Sequence, residues 1–330
     1  MKTWIDFAAA PIFSIPLTNP LGGGPLGDRI VCEGMLIEGP QGWGEFSPPR
    51  DVDDRQAARW LTAAIEVGTV GWPDPVRGRV PVAVTVPAVP PDLAVRIVAE
   101  AGCHTAAVRV AEHPESLPED LARVEAVREA LGPSGAIRCD ANGHWNVESA
   151  ARAVPELDRA AGGLEFVEQP CPSLGETAAL RRRIDVAVAV DQSIREAPDP
   201  LRLTLTEAAD IAVLTVGALG GVRRALRVAE ACRLPCVAAA DLESSIGLAG
   251  GAALAGVLPD VGFAAELGAR GLLSGDVVSQ ARSMVPFDGH VPVAPMPPRP
   301  DPDRLREFAV ADPQTVAWWR ARLECVQSYL

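Results

Sequence analysis

The chain has 330 residues, 48% of them hydrophobic and 22% charged, with a formal net charge of −13. That length holds a large α/β barrel plus a smaller unit, and so acidic a surface repels phosphate backbones and anionic lipids, which argues against nucleic-acid and membrane partners. Seven cysteines, an odd number with no Cys-x-x-Cys, fit the reduced thiols of a cytoplasmic protein better than a disulfide framework or a zinc site.

The first stretch, MKTWIDFAAAPIF, is broken by Asp6 and Pro11 and does not read as a secretory signal. TNPLGGGPLG (18–27) reads as a hinge or lid loop; it lacks the Gly-Lys-Ser/Thr ending of a phosphate-binding loop. RIVCEGMLIEG (29–39) is strand-like, QGWGEFSPP (41–49) is rich in turns, and DDRQAARWLTAAIEVG (53–68) has helical spacing with Asp53 or Asp54 as N-cap. Residues 1–80 are therefore expected to form an α+β unit.

A rhythm starts near residue 80. Apolar, β-rich runs recur at 80–88, 106–110, 136–140, 164–170, 186–192, 210–216, 236–241 and 261–267, separated mostly by single helical patterns such as PEDLARVEAVREAL (118–131). Strand alternating with helix predicts parallel pairing, and eight such units predict a closed barrel over residues 81–285. Cys232 and Cys236 lie four apart with no His or Cys neighbour in sequence, too few ligands for a metal. IGLAGGAALAGVLP (246–259) is too short and Gly-rich to span a bilayer and reads as a tightly packed helix. After the Pro-rich VPVAPMPPRPDPD (291–303), TVAWWRARLECVQSYL reads as a terminal helix, with Trp318 and Trp319 as core anchors; residues 286–330 are expected to pack back on the first unit.

Three of the predicted strands end in acids: Asp140, Glu168 and Asp191, spaced by 28 and 23 residues, each one strand-helix unit. In a parallel barrel such termini share one face, so the carboxylates converge. Unpaired they would raise one another's pKa values, a cost that a divalent cation removes. Three oxygen donors without His or Cys select Mg²⁺, or Mn²⁺, over zinc.

With CDANGHW (139–145), EFVEQPCP (165–172), VAVDQSIR (188–195), ADIAVLTVGALGGV (209–222) and LESSIGLA (242–249), joined by GWGEFSP (42–48) and VTVPAV (84–89), the chain resembles the enolase superfamily and, within it, the o-succinylbenzoate synthase family of menaquinone biosynthesis. The resemblance implies an enolase-type modified TIM barrel, (β/α)7β, under an α+β capping domain built from both chain ends. It implies Asp140, Glu168 and Asp191 as the Mg²⁺ ligands. The implied reaction is dehydration of a cyclohexadiene carboxylate, in which the metal stabilises the enediolate left when the α-proton departs.

The resemblance also implies lysines on the second and sixth barrel strands. Arg109 and Thr215 stand there, and the chain's single lysine is Lys2. A guanidinium stays protonated near neutrality, so Arg109 can hold an anion but is a poor base. Asp241 and Glu266 bring further acids to the expected mouth and are the candidate acid/base groups beside Arg109, with Thr215, Asn142 and Ser244 as candidate substrate contacts. Local pairings are equally open: Asp241 with Arg109 or as a helix cap, Glu266 with Arg270, and His144 as a solvent-facing loop residue.

Three functions follow as expectations. The first is a Mg²⁺-dependent lyase of the synthase type working through a substituted base. The second is a family member repurposed for another cyclisation or rearrangement in a biosynthetic pathway. The third is an inactive small-molecule binder. The partner in each case is a small carboxylate, and the chain acts as a monomer or homo-oligomer.

Overall fold

A computed structural model describes residues 5–18 and 31–330 of the chain. Apart from Thr18, the Gly-rich run 18–27 lies outside the described residues.

The first unit is an antiparallel sheet of β1 (Ile12–Pro16), β2 (Val31–Gly39) and β3 (Gly42–Phe46). Met35, Ile37 and Phe46 are buried against Ala57, Trp60, Leu61 and Ala64 of the helix Asp54–Thr69. That helix starts where Asp53 accepts a hydrogen bond from the Gln56 amide at 2.8 Å, which settles the N-cap on the first of the two aspartates. It lies close to the sheet because glycine permits it: a Cβ on Gly44 would stand 2.3 Å from the Ala64 carbonyl oxygen.

The terminal helix Pro313–Gln327 closes the same cluster. Trp319 is buried edge-on to Phe46, with ring centroids 6.0 Å apart. Trp318 does something else: it is half-buried between the guanidiniums of Arg50 and Arg322, 4.7 and 4.9 Å from its ring centroid. Trp319 is thus the buried anchor, and Trp318 packs on the edge of the same cluster, edge-on to Trp319.

A short β4 (Arg79–Pro81) leads into the barrel. Its strands are β5 (Ala83–Val86), β6 (Thr105–Arg109), β7 (Ala136–Asp140), β8 (Phe166–Glu168), β9 (Val188–Val190), β10 (Ile211–Thr215) and β11 (Cys236–Ala239). All seven are parallel and neighbour one another in sequence order, as strand–helix alternation predicts.

The expected eighth strand, 261–267, is not a strand. It supplies two isolated parallel bridges, Ala265 to Val82 and Glu266 to Ala239, and so joins the two edges of the sheet. The run cannot extend further because its backbone turns at Gly268, where a Cβ would lie 2.4 Å from the Ala83 carbonyl oxygen, and continues as the 3-10 turn Gly268–Leu272. The chain then forms β12 (His290–Pro292), antiparallel to β4. The Gly/Ala-rich run is the buried helix Ser245–Val257, and no helix among the described residues is long and apolar enough to cross a membrane.

Candidate active site

Parallel strands place their C-terminal residues on one rim, and the side chains expected to act are found there. Arg109 pairs in register with Asp140, and Asp140 with Glu168, so the ends of β6, β7 and β8 set a cation and two acids side by side. Asp191 follows β9, and Thr215 ends β10. Arg109 Nη1 lies 3.0 Å from Asp140 Oδ2, while the Asn142 amide donates to Asp140 Oδ1 at 2.8 Å. Thr215 Oγ1 donates to Asp191 Oδ1 at 3.2 Å. Asn142 is held in a left-handed turn (φ 51°), and its side-chain carbonyl accepts from Gln192.

Arg195 and Arg138 complete the rim, and the sequence reading named neither. Arg195 Nη1 is 2.8 Å from Asp241 Oδ1, and its Nε is 3.5 Å from Asp191 Oδ2. Arg138, wholly buried, bridges Glu165 (2.6 Å) and Glu266 (3.1 Å) while stacked on Phe166. Both were within reach of the sequence. Arg195 stands four residues beyond Asp191, and Arg138 two before Asp140, on the same strand face.

These partners replace the expected ones. Asp241 pairs with Arg195 rather than Arg109 and does not cap the next helix; Ser244 does, accepting from the Ile246 amide at 3.2 Å. Glu266 pairs with Arg138 rather than Arg270, which binds Asp276 at 2.8 Å. The segment around Glu266 is not helical, so a four-residue spacing brings nothing together there. Ser244 is fully buried. Its amide lies 3.2 Å from Glu45 Oε1, and its hydroxyl donates to the same carboxylate, which also accepts from Ser47 (2.8 Å) and the Gly247 amide (3.1 Å). Ser244 thereby ties the barrel to the cap. His144 is exposed, with Nδ1 2.9 Å from the Ala111 carbonyl.

Charge at the rim does not balance. The carboxyl groups of Asp140, Glu168, Asp191, Asp241 and Glu266 face the guanidiniums of Arg109, Arg138 and Arg195, and Arg138 is shared with Glu165. Burial, then Glu266, Asp140 and Asp191, push Glu168 well above the usual carboxylate range. Burial raises Asp191 to about 7 against the pull of Arg195, and burial likewise raises Glu266 against Arg138. Glu168 Oε2 is buried without a hydrogen-bond partner among the described residues.

Does this fit a divalent cation? The donors are all carboxylate oxygens, five carboxyls face three guanidiniums so that full ionisation would leave two charges uncompensated, and the central donor has an unused buried oxygen; all three suit Mg²⁺ or Mn²⁺. The clasp is not ready-made, however. Among the described residues no three His, Cys, Asp or Glu side chains stand together as a finished metal site, because Asp140 is turned to Arg109 and Asp191 to Arg195 and Thr215. Binding would require those carboxylates to loosen their present partners.

The chain matches the enolase C-terminal domain-like family over residues 91–298 and the enolase N-terminal domain-like family over residues 28–68. It is 48% identical to the o-succinylbenzoate synthase of Thermobifida fusca, covering 96% of this chain and 95% of that one. It is 44% identical to the o-succinylbenzoate synthase of Mycolicibacterium smegmatis, covering 89% and 88%. Among solved structures its fold is similar to a muconate lactonizing enzyme from Pseudomonas fluorescens (TM-score 0.75, 22% identity, 93% of this chain and 98% of that one). It is equally similar to an L-Ala-D/L-Glu epimerase from Bacillus subtilis (TM-score 0.75, 21% identity, 91% and 98%).

Proposed function

The chain belongs to the o-succinylbenzoate synthase family of the enolase superfamily, and from that premise we propose that it is a Mg²⁺-dependent hydro-lyase in which Asp241 does the proton work of the missing lysines. The observation that carries this reading is the state of Asp241. Its Oδ1 is fixed by Arg195 at 2.8 Å, and its Oδ2, buried, has no hydrogen-bond partner among the described residues. A carboxylate anchored by one oxygen with the other unengaged is a positioned proton acceptor.

Asp140, Glu168 and Asp191 would hold the cation. Bound there, it would take up the negative charge that develops on the substrate carboxylate as the α-proton leaves. Arg109, between the β6 end and Asp140, orients that carboxylate as a permanent cation. Asp241 takes the α-proton through Oδ2. The electron pair released forms the new double bond as the carbon–oxygen bond breaks, and Asp241 returns its proton to the departing hydroxide as water. One group serves both transfers when proton and hydroxyl leave from the same side. Glu266, braced by Arg138, supports the negative wall of the pocket and is the second candidate for proton transfer. The substrate is a cyclohexadiene carboxylate of menaquinone biosynthesis, handled in the cytoplasm.

The test is Mg²⁺-dependent formation of o-succinylbenzoate from its cyclohexadiene precursor. Asp241→Asn is expected to lower kcat by about 10²–10⁴-fold with little change in KM, and Glu266→Gln less. No turnover by the parent chain at high enzyme concentration defeats the reading.

That outcome would favour a second reading, recruitment to a different cyclisation or rearrangement. Its support is that the two positions where lysines are expected carry groups tied to candidate ligands, Arg109 on Asp140 and Thr215 on Asp191. It predicts that Arg109→Lys with Thr215→Lys gains synthase turnover where the parent has none.

A further inference from the structure

On the rim opposite the active site, at the N-terminal end of β11, two thiols face each other. Cys232 ends the helix Val222–Cys232 and Cys236 opens β11; Arg233 between them takes a left-handed turn (φ 56°) that reverses the chain. Their sulfurs are 3.9 Å apart, and each also points at a nearby carbonyl, Cys232 at Ala229 (3.3 Å) and Cys236 at Leu234 (3.2 Å). Cys236 is half-buried and Cys232 is buried beside it, so an oxidant reaches Cys232 past Cys236. We propose that Cys232 and Cys236 form a reversible dithiol–disulfide site, oxidised by peroxide. It stands apart from the active site and owes nothing to the reading proposed for it.

The geometry favours this chemistry. A disulfide needs about 2.05 Å between sulfurs, so a side-chain rotation of the two cysteines has to close less than 2 Å. When the Cys236 thiol turns its one proton from the Leu234 carbonyl to Cys232, it favours the thiolate of Cys232, holding its pKa down to about 7. Cys232 attacks one peroxide oxygen; the O–O bond breaks, hydroxide leaves, and Cys232 becomes a sulfenic acid. Cys236 then attacks that sulfur, the S–S bond forms and the sulfenic oxygen leaves as water. The sum is two thiols and one peroxide giving one disulfide and two waters. The bond would close only a very short loop, which gives little of the chain-entropy gain that a structural disulfide supplies. It is suited to opening again, not to stapling the fold.

The experiment treats the native full-length chain with hydrogen peroxide, blocks remaining thiols and digests it with trypsin, which cuts after Arg233 and so between the two cysteines. The expected product is a pair of peptides joined through Cys232 and Cys236 that separates on reduction, with two of the seven thiols lost before any other buried one. Cys325, exposed and distant in sequence, is the internal control. Oxidation of Cys325 while the 232–236 peptides stay unlinked overturns the proposal. In Cys236→Ser the linked pair should vanish and Cys232 pass to sulfinic acid; a disulfide from Cys232 to any other cysteine in that variant also overturns it.

Discussion

Two carboxylates in this molecule are buried to nearly the same degree and live in opposite ways. Glu45, on β3 of the cap, accepts hydrogen bonds from Ser47, from the Ser244 amide and hydroxyl and from the Gly247 amide. Glu168, at the end of β8, keeps one buried oxygen with no partner among the described residues and faces other acids. Burial is the leading cause of a raised pKa in both. What differs is the supply of donors. At the domain contact the fold surrounds the charge with amides and hydroxyls; at the rim it withholds them, which is the contrast that the proposed metal role for Glu168 would account for.

The widest separation between the two comes from removing the charge. If Asp140, Glu168 and Asp191 hold Mg²⁺ as proposed, the ion should raise the parent's melting temperature and Glu168→Gln should abolish that rise, with at least about a hundredfold loss of affinity, while the metal-free variant is as stable as the parent or more so. A variant still stabilised by Mg²⁺ would show that Glu168 is not a ligand. Glu45→Ala should do the reverse. It leaves Mg²⁺ affinity nearly intact but costs about 2–4 kcal/mol in denaturant unfolding, because buried amides and hydroxyls lose their acceptor.

The smallest effect is on pH dependence. Glu45 titrates at about 7 in the folded chain against 4.5 in the unfolded one. Between those values the folded state holds a proton that the unfolded state has released. The Glu45 contribution to stability is therefore greatest below about pH 4.5 and is lost as pH rises through 7. Glu45→Gln should flatten that part of the stability–pH curve; an unchanged slope would mean that other groups set it.

Much of the barrel was legible because its signal is periodic. Apolar strands alternating with helices, each acid one unit after the last, located Asp140, Glu168 and Asp191 at the ends of β7, β8 and just beyond β9. Pairing across the rim was less legible. Arg195 reaches Asp241 from a helix that begins beyond β9, a contact 46 residues apart in sequence. Arg138 reaches Glu266 across the barrel interior, 128 residues apart. Neither separation has a local periodicity to betray it. Segment 261–267 misled for another reason: its apolar content reads as a strand, yet it makes only two bridges before the chain turns at Gly268. Ser244 was ambiguous because a serine before an apolar helix is equally a cap and a ligand-binding hydroxyl; in the structure it caps the helix and its hydroxyl is given to the buried Glu45.

Those two bridges have a mechanical consequence. Segment 261–267 is fastened to β11 through the amides of Glu266 and Ala240, and to the β5 side through those of Ala265 and Ala83. Every other join in the ring runs along a strand. Thermal opening should begin at this seam, so the amide protons of Ala265 and Glu266 should exchange with solvent sooner than those in the middle of β7. Because Glu266 belongs to the seam, each such opening carries an acid out of the rim and back again.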